Sequence, residues 1–142
     1  MSAGKQILVI GSGGREHAIC WKLAQSPKVG KIFALPGSHQ IGKLDKVLNV
    51  LDLDVNDHSA IAAWCKSHQI DLVAVGPEDP LALGIADNLA KEKITCFGPV
   101  RDGARIEFDK SWSKDFMREF NIPTARYESF DDVDKAKAFI RR

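Results

Sequence analysis

The chain has 142 residues, 44% hydrophobic and 27% charged, which is the balance of a globular protein of one domain with room for part of a second. A formal charge of +1 gives no electrostatic case for nucleic acid or an acidic membrane surface, and no apolar run approaches the roughly 20 residues of a membrane span. Cys20, Cys65 and Cys96 are odd in number and far apart, so they read as reduced, mostly buried thiols of a cytoplasmic protein. Met1–Lys5 lead straight into an apolar run and carry no signal-peptide pattern.

Ile7-Leu8-Val9-Ile10 is an unbroken apolar run of the kind a strand buried on both faces requires. Gly11-Ser12-Gly13-Gly14 follows, and a helix is predicted over Arg15–Ser26, with Pro27 just beyond it. Strand, glycine turn and helix in that order bring backbone N–H groups and the positive end of a helix dipole to one spot, which suits a phosphate. The dinucleotide fingerprint G-x-G-x-x-G is matched at Gly11 and Gly13, but Glu16 stands where the third glycine belongs.

Lys31–Leu35 reads as the second strand, closed by Pro36-Gly37, and Val47–Val50 as a short, ambiguous one. Asn56 or Asp57 caps a predicted helix through His68, with Ile61, Trp64, Cys65 and His68 on one core-facing stripe. Asp71–Val75 is the next buried strand. It runs into Gly76-Pro77-Glu78-Asp79-Pro80, where Asp79 is expected as cap and Pro80 as first helical residue of a helix carrying Leu81, Ile85 and Leu89. Ile94–Phe97 is a further strand, ended by Gly98-Pro99.

Alternating strands and helices predict an α/β fold with a doubly wound parallel sheet over residues 1–100. Ligands of such sheets bind outside the carboxyl ends of the strands, so the turns Gly11–Arg15, Pro36–Ser38 and Gly76–Asp79 are expected to converge on one crevice. Residues 101–142 form a different unit: a helix over Asp109–Phe120, a strand over Thr124–Phe130 and a helix from Val133 to Arg142, too few elements to bury a core. The chain is therefore read as truncated at Arg142.

Glu78, held between Pro77 and Pro80, is expected to aim its carboxylate into the crevice, where it can accept hydrogen bonds from sugar hydroxyls; capping a helix is the alternative. Arg15 can supplement the loop's donors around a phosphate, and His17 reads as structural. Lys110 and Lys114 lie four apart on a helix, either as solvated surface charges or with one of them reaching nucleotide phosphates. No catalytic or metal-ligating cluster is visible. On these grounds the reading ends at a doubly wound domain with a crevice for a phosphate and a sugar; a nicotinamide-dependent oxidoreductase and a non-catalytic module for a phosphorylated sugar or a partner protein stay open.

Taken together, VIGSGGREHAICWKLAQSP at Val9–Pro27, the Pro36-Gly37 turn, VGPEDPLALGIAD at Val75–Asp87, FGP at Phe97–Pro99 and KSWSKDFMREFNIPTA at Lys110–Ala125 resemble the glycinamide ribonucleotide synthetases, or phosphoribosylamine–glycine ligases, of the ATP-grasp superfamily. The resemblance covers essentially the whole chain. It implies a Rossmann-like N-terminal domain that helps hold 5-phosphoribosylamine, followed by the start of an ATP-grasp domain. Gly11, Gly13, Gly14 and Arg15 would lie near the 5′-phosphate, Pro36 and Gly37 on a second wall, and Glu78 near the ribose hydroxyls. Lys110 matches the family's first ATP-contacting lysine.

The implied reaction uses ATP with Mg²⁺ (or Mn²⁺) to activate glycine as an acyl phosphate that the amine of phosphoribosylamine attacks. The family's lid, its metal ligands and its glycine surface follow the part matched here, so this chain alone is expected to be inactive. In animals the family often heads a longer, multifunctional polypeptide. Two departures stand out: Ser38-His39-Gln40 replaces the usual Asn-Ala-Gly after Pro-Gly, and Asp109 replaces the usual Ser before the lysine.

Overall fold

The computed structural model describes residues 4–141, so the expectations for Met1–Ala3 and for a helix end at Arg142 lie outside the described residues. It divides into two compact units, up to Ala104 and from Arg105 onward. The boundary expected at residue 100 falls just before a helix, α5 (Arg101–Phe108), that was not anticipated and within which the division lies.

The first unit is built on five parallel strands in the order β3-β2-β1-β4-β5: β1 (Lys5–Gly11), β2 (Val29–Pro36), β3 (Val47–Asn49), β4 (Leu72–Val75) and β5 (Cys96–Phe97). This is the doubly wound arrangement expected. Because strand side chains alternate, each run serves two cores. Ile7, Val9, Ile32, Ala34 and Ala74 face a cluster that takes in Cys20, Ile19 and Leu23 of α1 (Gly14–Ala24), together with Ile41. Leu8, Ile10, Phe33, Leu35, Val73 and Val75 face the opposite cluster. That one is closed by Ile61 and Cys65 of α2 (His58–Ser67), Leu81 of α3 (Glu78–Ala82), Ile85 and Leu89 of α4 (Ile85–Lys91), and Ala104. Four of the β1 residues, Ile7–Ile10, are at most 4% exposed, as strands covered on both faces must be.

Three local expectations are corrected. Leu81, Ile85 and Leu89 are all buried, but they lie on two helices, because Gly84 takes φ +85° and interrupts the run. Pro77, not Asp79, is the N-cap of α3, so Pro80 sits at the third helical position, still within the first turn where a missing N–H costs no hydrogen bond. His68 is exposed; its ring stacks on Trp64 at 3.9 Å.

In the second unit, α6 (Lys110–Glu119) and α7 (Val133–Ile140) are the expected helices, but Thr124–Phe130 forms no strand. A strand needs a neighbour to take its backbone hydrogen bonds, and no other described residue from 105 onward is extended into one. The segment is tied to α6 by side chains instead: the Tyr127 hydroxyl donates to the Lys114 carbonyl at 2.9 Å, and Lys114 donates to Thr124.

Candidate functional site: a crevice at the switch point of the sheet

Gly11 pairs with Pro36 and Ile10 with Val75, so β1, β2 and β4 end at one level. The chain winds one way from β1 through β2 to β3 and the other way through β4 to β5; the reversal lies between β1 and β4. A crevice of about 360 Å³ opens there, near the small end of the range for ligand sites. The glycine loop contributes Gly11, Ser12 and Gly13, β2 contributes Pro36, and the turn after β4 contributes Pro77, Asp79 and Pro80. The three turns thus meet as expected. Val55 and Asn56, ahead of α2, complete the wall.

Beneath the loop lies Glu16, only 3% exposed. Its Oε2 accepts from the Gly13 N–H at 2.7 Å and its Oε1 from Arg15 Nε at 2.8 Å. Burial opposes ionisation, yet the hydrogen bonds from Arg15 and Gly13 outweigh it and hold the carboxyl below its ordinary value of 4.5. Arg15 is pushed up in turn, chiefly by the hydrogen bond to Glu16. The other end of the guanidinium faces Glu78, with Nη2 at 3.6 Å from Oε2. Gly13–Glu16–Arg15–Glu78 is therefore one chain of contacts from the glycine loop to the turn after β4.

Of the residues singled out from sequence, Gly11, Gly13 and Pro36 line the crevice, while Gly14, Arg15, Gly37 and Glu78 do not. The expectation that Glu78 aims into the crevice is corrected: its half-exposed carboxylate turns to Arg15, and the neighbouring Asp79 lines the cavity. Gly37 is buried behind the wall with φ +70°, packed against the Asn49 side chain, whose Nδ2 donates to the Ser38 carbonyl at 2.8 Å. The Ser38-His39-Gln40 departure is thus anchored by Asn49. The ring of His17 is half-buried and makes no hydrogen bond to a described residue. Sequence reasoning missed Glu16 as a buried charge. It also missed Asn56, although a residue between a strand end and a helix start is where crevice walls are drawn from.

Within the second unit the two lysines differ. Lys114 is half-buried and bonded to Thr124 and to the Ala125 carbonyl, whereas Lys110 is exposed and has no ion pair among the described residues. Asp109 caps α6, accepting from the Trp112 N–H at 3.0 Å, and takes two bonds from Arg105 at 3.1 Å. The Trp112 bond is the main reason its carboxyl lies below the ordinary range; Arg105 adds to it. The Asp109 charge is therefore matched by Arg105. Among the described residues no three His, Cys, Asp or Glu side chains are grouped as metal ligands, and no helix is long and apolar enough to cross a membrane.

Residues 5–107 match the family model of the phosphoribosylglycinamide synthetase N domain, and residues 108–142 that of the same synthetase's ATP-grasp (A) domain. The chain is 64% identical over 138 residues to the trifunctional purine biosynthetic protein adenosine-3 of Drosophila melanogaster, covering 96% of this chain and 10% of that protein. It is 48% identical over 134 residues to the phosphoribosylamine–glycine ligase of Mesorhizobium japonicum, covering 94% of this chain and 31% of that enzyme. Among solved structures, the phosphoribosylamine–glycine ligase of Thermotoga maritima superposes with a TM-score of 0.67 at 24% identity, over 96% of this chain and 30% of that one, and so shares the fold. The chain thus spans about a tenth of the trifunctional relative and under a third of the bacterial enzyme. It belongs to the phosphoribosylglycinamide synthetase family.

Proposed function

We propose that the chain is the N-terminal part of an ATP-dependent ligase that joins glycine to 5-phosphoribosylamine, giving glycinamide ribonucleotide in purine synthesis. The observation that carries this reading is the convergence of the three turns on one crevice, in a chain matched from residue 5 to 142 by two consecutive domains of one synthetase. The first unit holds the phosphorylated sugar. The N–H groups of Ser12, in the crevice wall, and of Gly14 beside it at the start of α1 have no backbone acceptor among the described residues and would receive the 5′-phosphate. Asp79 on the wall, and Glu78 when its contact with Arg15 opens, supply acceptors for ribose hydroxyls. Pro36 forms the facing wall, with Gly37 shaping the turn behind it.

In the second unit Lys110, at the first turn of α6, is the contact for ATP; an exposed ammonium with no ion pair among the described residues suits a phosphate. ATP, bound with Mg²⁺ by the longer enzyme, supplies the phosphoryl group that activates the glycine carboxylate. The work of these residues is to bind and orient, and the chain alone does not ligate. Unpaired thiols, buried at Cys20 and Cys65 and partly buried at Cys96, fit a reducing, cytoplasmic setting.

Thermal unfolding of the 142-residue chain with ribose 5-phosphate, a stable stand-in for the substrate, and separately with NAD, tests the reading. A saturable rise in midpoint with the sugar phosphate, reduced in Glu78→Ala, is expected; a rise with NAD alone overturns it. ADP release by the chain that depends on glycine and phosphoribosylamine would overturn its assignment as inactive.

A further inference from the structure

Glu16 occupies the sixth position of a motif whose third glycine ordinarily lets the first helix approach the sheet. Its side chain fills that space. A methyl group on Gly76 would lie 2.6 Å from Glu16 Cδ, and one on Gly11 2.5 Å from the same atom. Gly76 follows β4 and donates its N–H to the Ile10 carbonyl at 3.0 Å, so the carboxylate is wedged between the ends of β1 and β4, at the reversal of the sheet. The glycines at 11 and 76 thus serve a side chain of the protein. Glu16 also takes the Gly13 N–H, one of the donors that a glycine loop otherwise offers to an anion.

The charges around the crevice follow the same sense. Glu16 and Asp79 line it and Glu78 stands close by, while Arg15 is the one cation bonded to this group among the described residues. That guanidinium is divided between Glu16 and Glu78. Such a seat tolerates one phosphate at the loop and favours hydrogen-bond donors beside it; a second linked phosphate meets carboxylates.

Resting on the reading of the crevice as a phosphorylated-sugar site, we propose that Glu16 is its specificity-determining residue: the wedged carboxylate restricts the crevice to sugars with a single phosphate and closes the pyrophosphate seat that the same fold offers to dinucleotides.

The test is isothermal titration of the 142-residue chain with orthophosphate, inorganic pyrophosphate and ribose 5-phosphate, each on the unmodified chain and on Glu16→Gln. Glutamine keeps the volume and an acceptor for the Gly13 N–H but removes the charge. An ordinary anion site prefers the more highly charged ion; the unmodified chain is expected to bind pyrophosphate no tighter than orthophosphate. Glu16→Gln should bind pyrophosphate on the order of tenfold tighter than the unmodified chain, with a smaller change for ribose 5-phosphate. Pyrophosphate bound tighter than orthophosphate by the unmodified chain, or equally by chain and variant, overturns the proposal. If circular dichroism shows Glu16→Gln unfolded, the variant with Arg15→Gln added, which removes both charges of the pair, replaces it in the same comparison. Loss of ribose 5-phosphate binding alone counts against the sugar-phosphate reading and leaves the pyrophosphate comparison intact.

Discussion

The two units of this chain spend similar stocks of apolar residues in different ways. In the first, the central strand β1 is covered on both faces, and Leu8, Ile10, Ile32, Leu35, Ile61, Ile85 and Leu89 are fully buried. In the second, Ser113 is the one buried residue among those described, and aromatics pair with one another along α6 and its C-cap: Trp112 stacks on Phe116 at 5.3 Å, and Phe116 meets Phe120 at a tilt, 4.6 Å apart. Phe120, Val133 and Ile140 are more than half exposed. Apolar content alone does not make a core. A core needs a second layer to close against, which the sheet supplies in the first unit and two short helices do not supply in the second.

Breaking the contrast at its strongest point, Leu8→Ala should cost about 2–5 kcal/mol in urea unfolding, because it opens a cavity at the centre of the sheet. Phe120→Ala, of similar chemistry but in the second unit, should change stability by less than about 0.5 kcal/mol while reducing self-association in light scattering. Next in size, Gly76→Ala forces the Glu16 carboxylate aside and should cost about 1–3 kcal/mol; adding Glu16→Ala removes the overlap, so a double-mutant cycle should show favourable coupling. Replacing a cap compares the units directly. Asp57 accepts from the Ala60 N–H at 2.9 Å and opens a helix packed on the core, so Asp57→Ala should cost about 1 kcal/mol of global stability. Asp109→Ala should leave the main unfolding transition in place and lower only the helical signal of the second unit.

The smallest effect is a change of slope with pH. The folded carboxyl of Glu16 lies below its ordinary value of 4.5, so its contribution is whole above that pH and is lost as pH falls through the lowered folded value. Acid unfolding of Glu16→Gln should therefore be flatter below about pH 4.5 than that of the unmodified chain, the difference vanishing at pH 7 apart from a constant offset. Identical acid limbs would mean that Glu16 is not held ionised by Arg15 and Gly13.

What the amino-acid order conveys well is whatever depends on period and punctuation. The runs Ile7–Ile10 and Asp71–Val75, the glycine turn, a cap at Asn56 or Asp57 and the convergence of strand ends all follow from local chemistry and from the geometry of parallel sheets. Residues whose meaning depends on what lies across the fold were misread. Glu16 departs from the fingerprint in a way whose reason is only half local: its hydrogen-bond partners Gly13 and Arg15 are near in sequence, but Gly76, against which it is wedged, is 60 positions away. Gly84 looked like one more residue in a helical stripe, since Leu81, Ile85 and Leu89 keep their spacing across the break. Thr124–Phe130 has the aromatic and β-branched residues of a strand, but that propensity measures fit to a sheet, and no described residue from 105 onward forms one.

The three cysteines give the first unit a built-in record of its own opening. Burial pushes each thiol up to about 11, so all three react slowly at neutral pH; Cys20 and Cys65 are also buried and wait for the surrounding structure to part, while Cys96 is partly exposed. Cys20 belongs to one face of the sheet, Cys65 and Cys96 to the other. The order in which they acquire a label under native conditions would time the loosening of the two faces separately, without a single substitution.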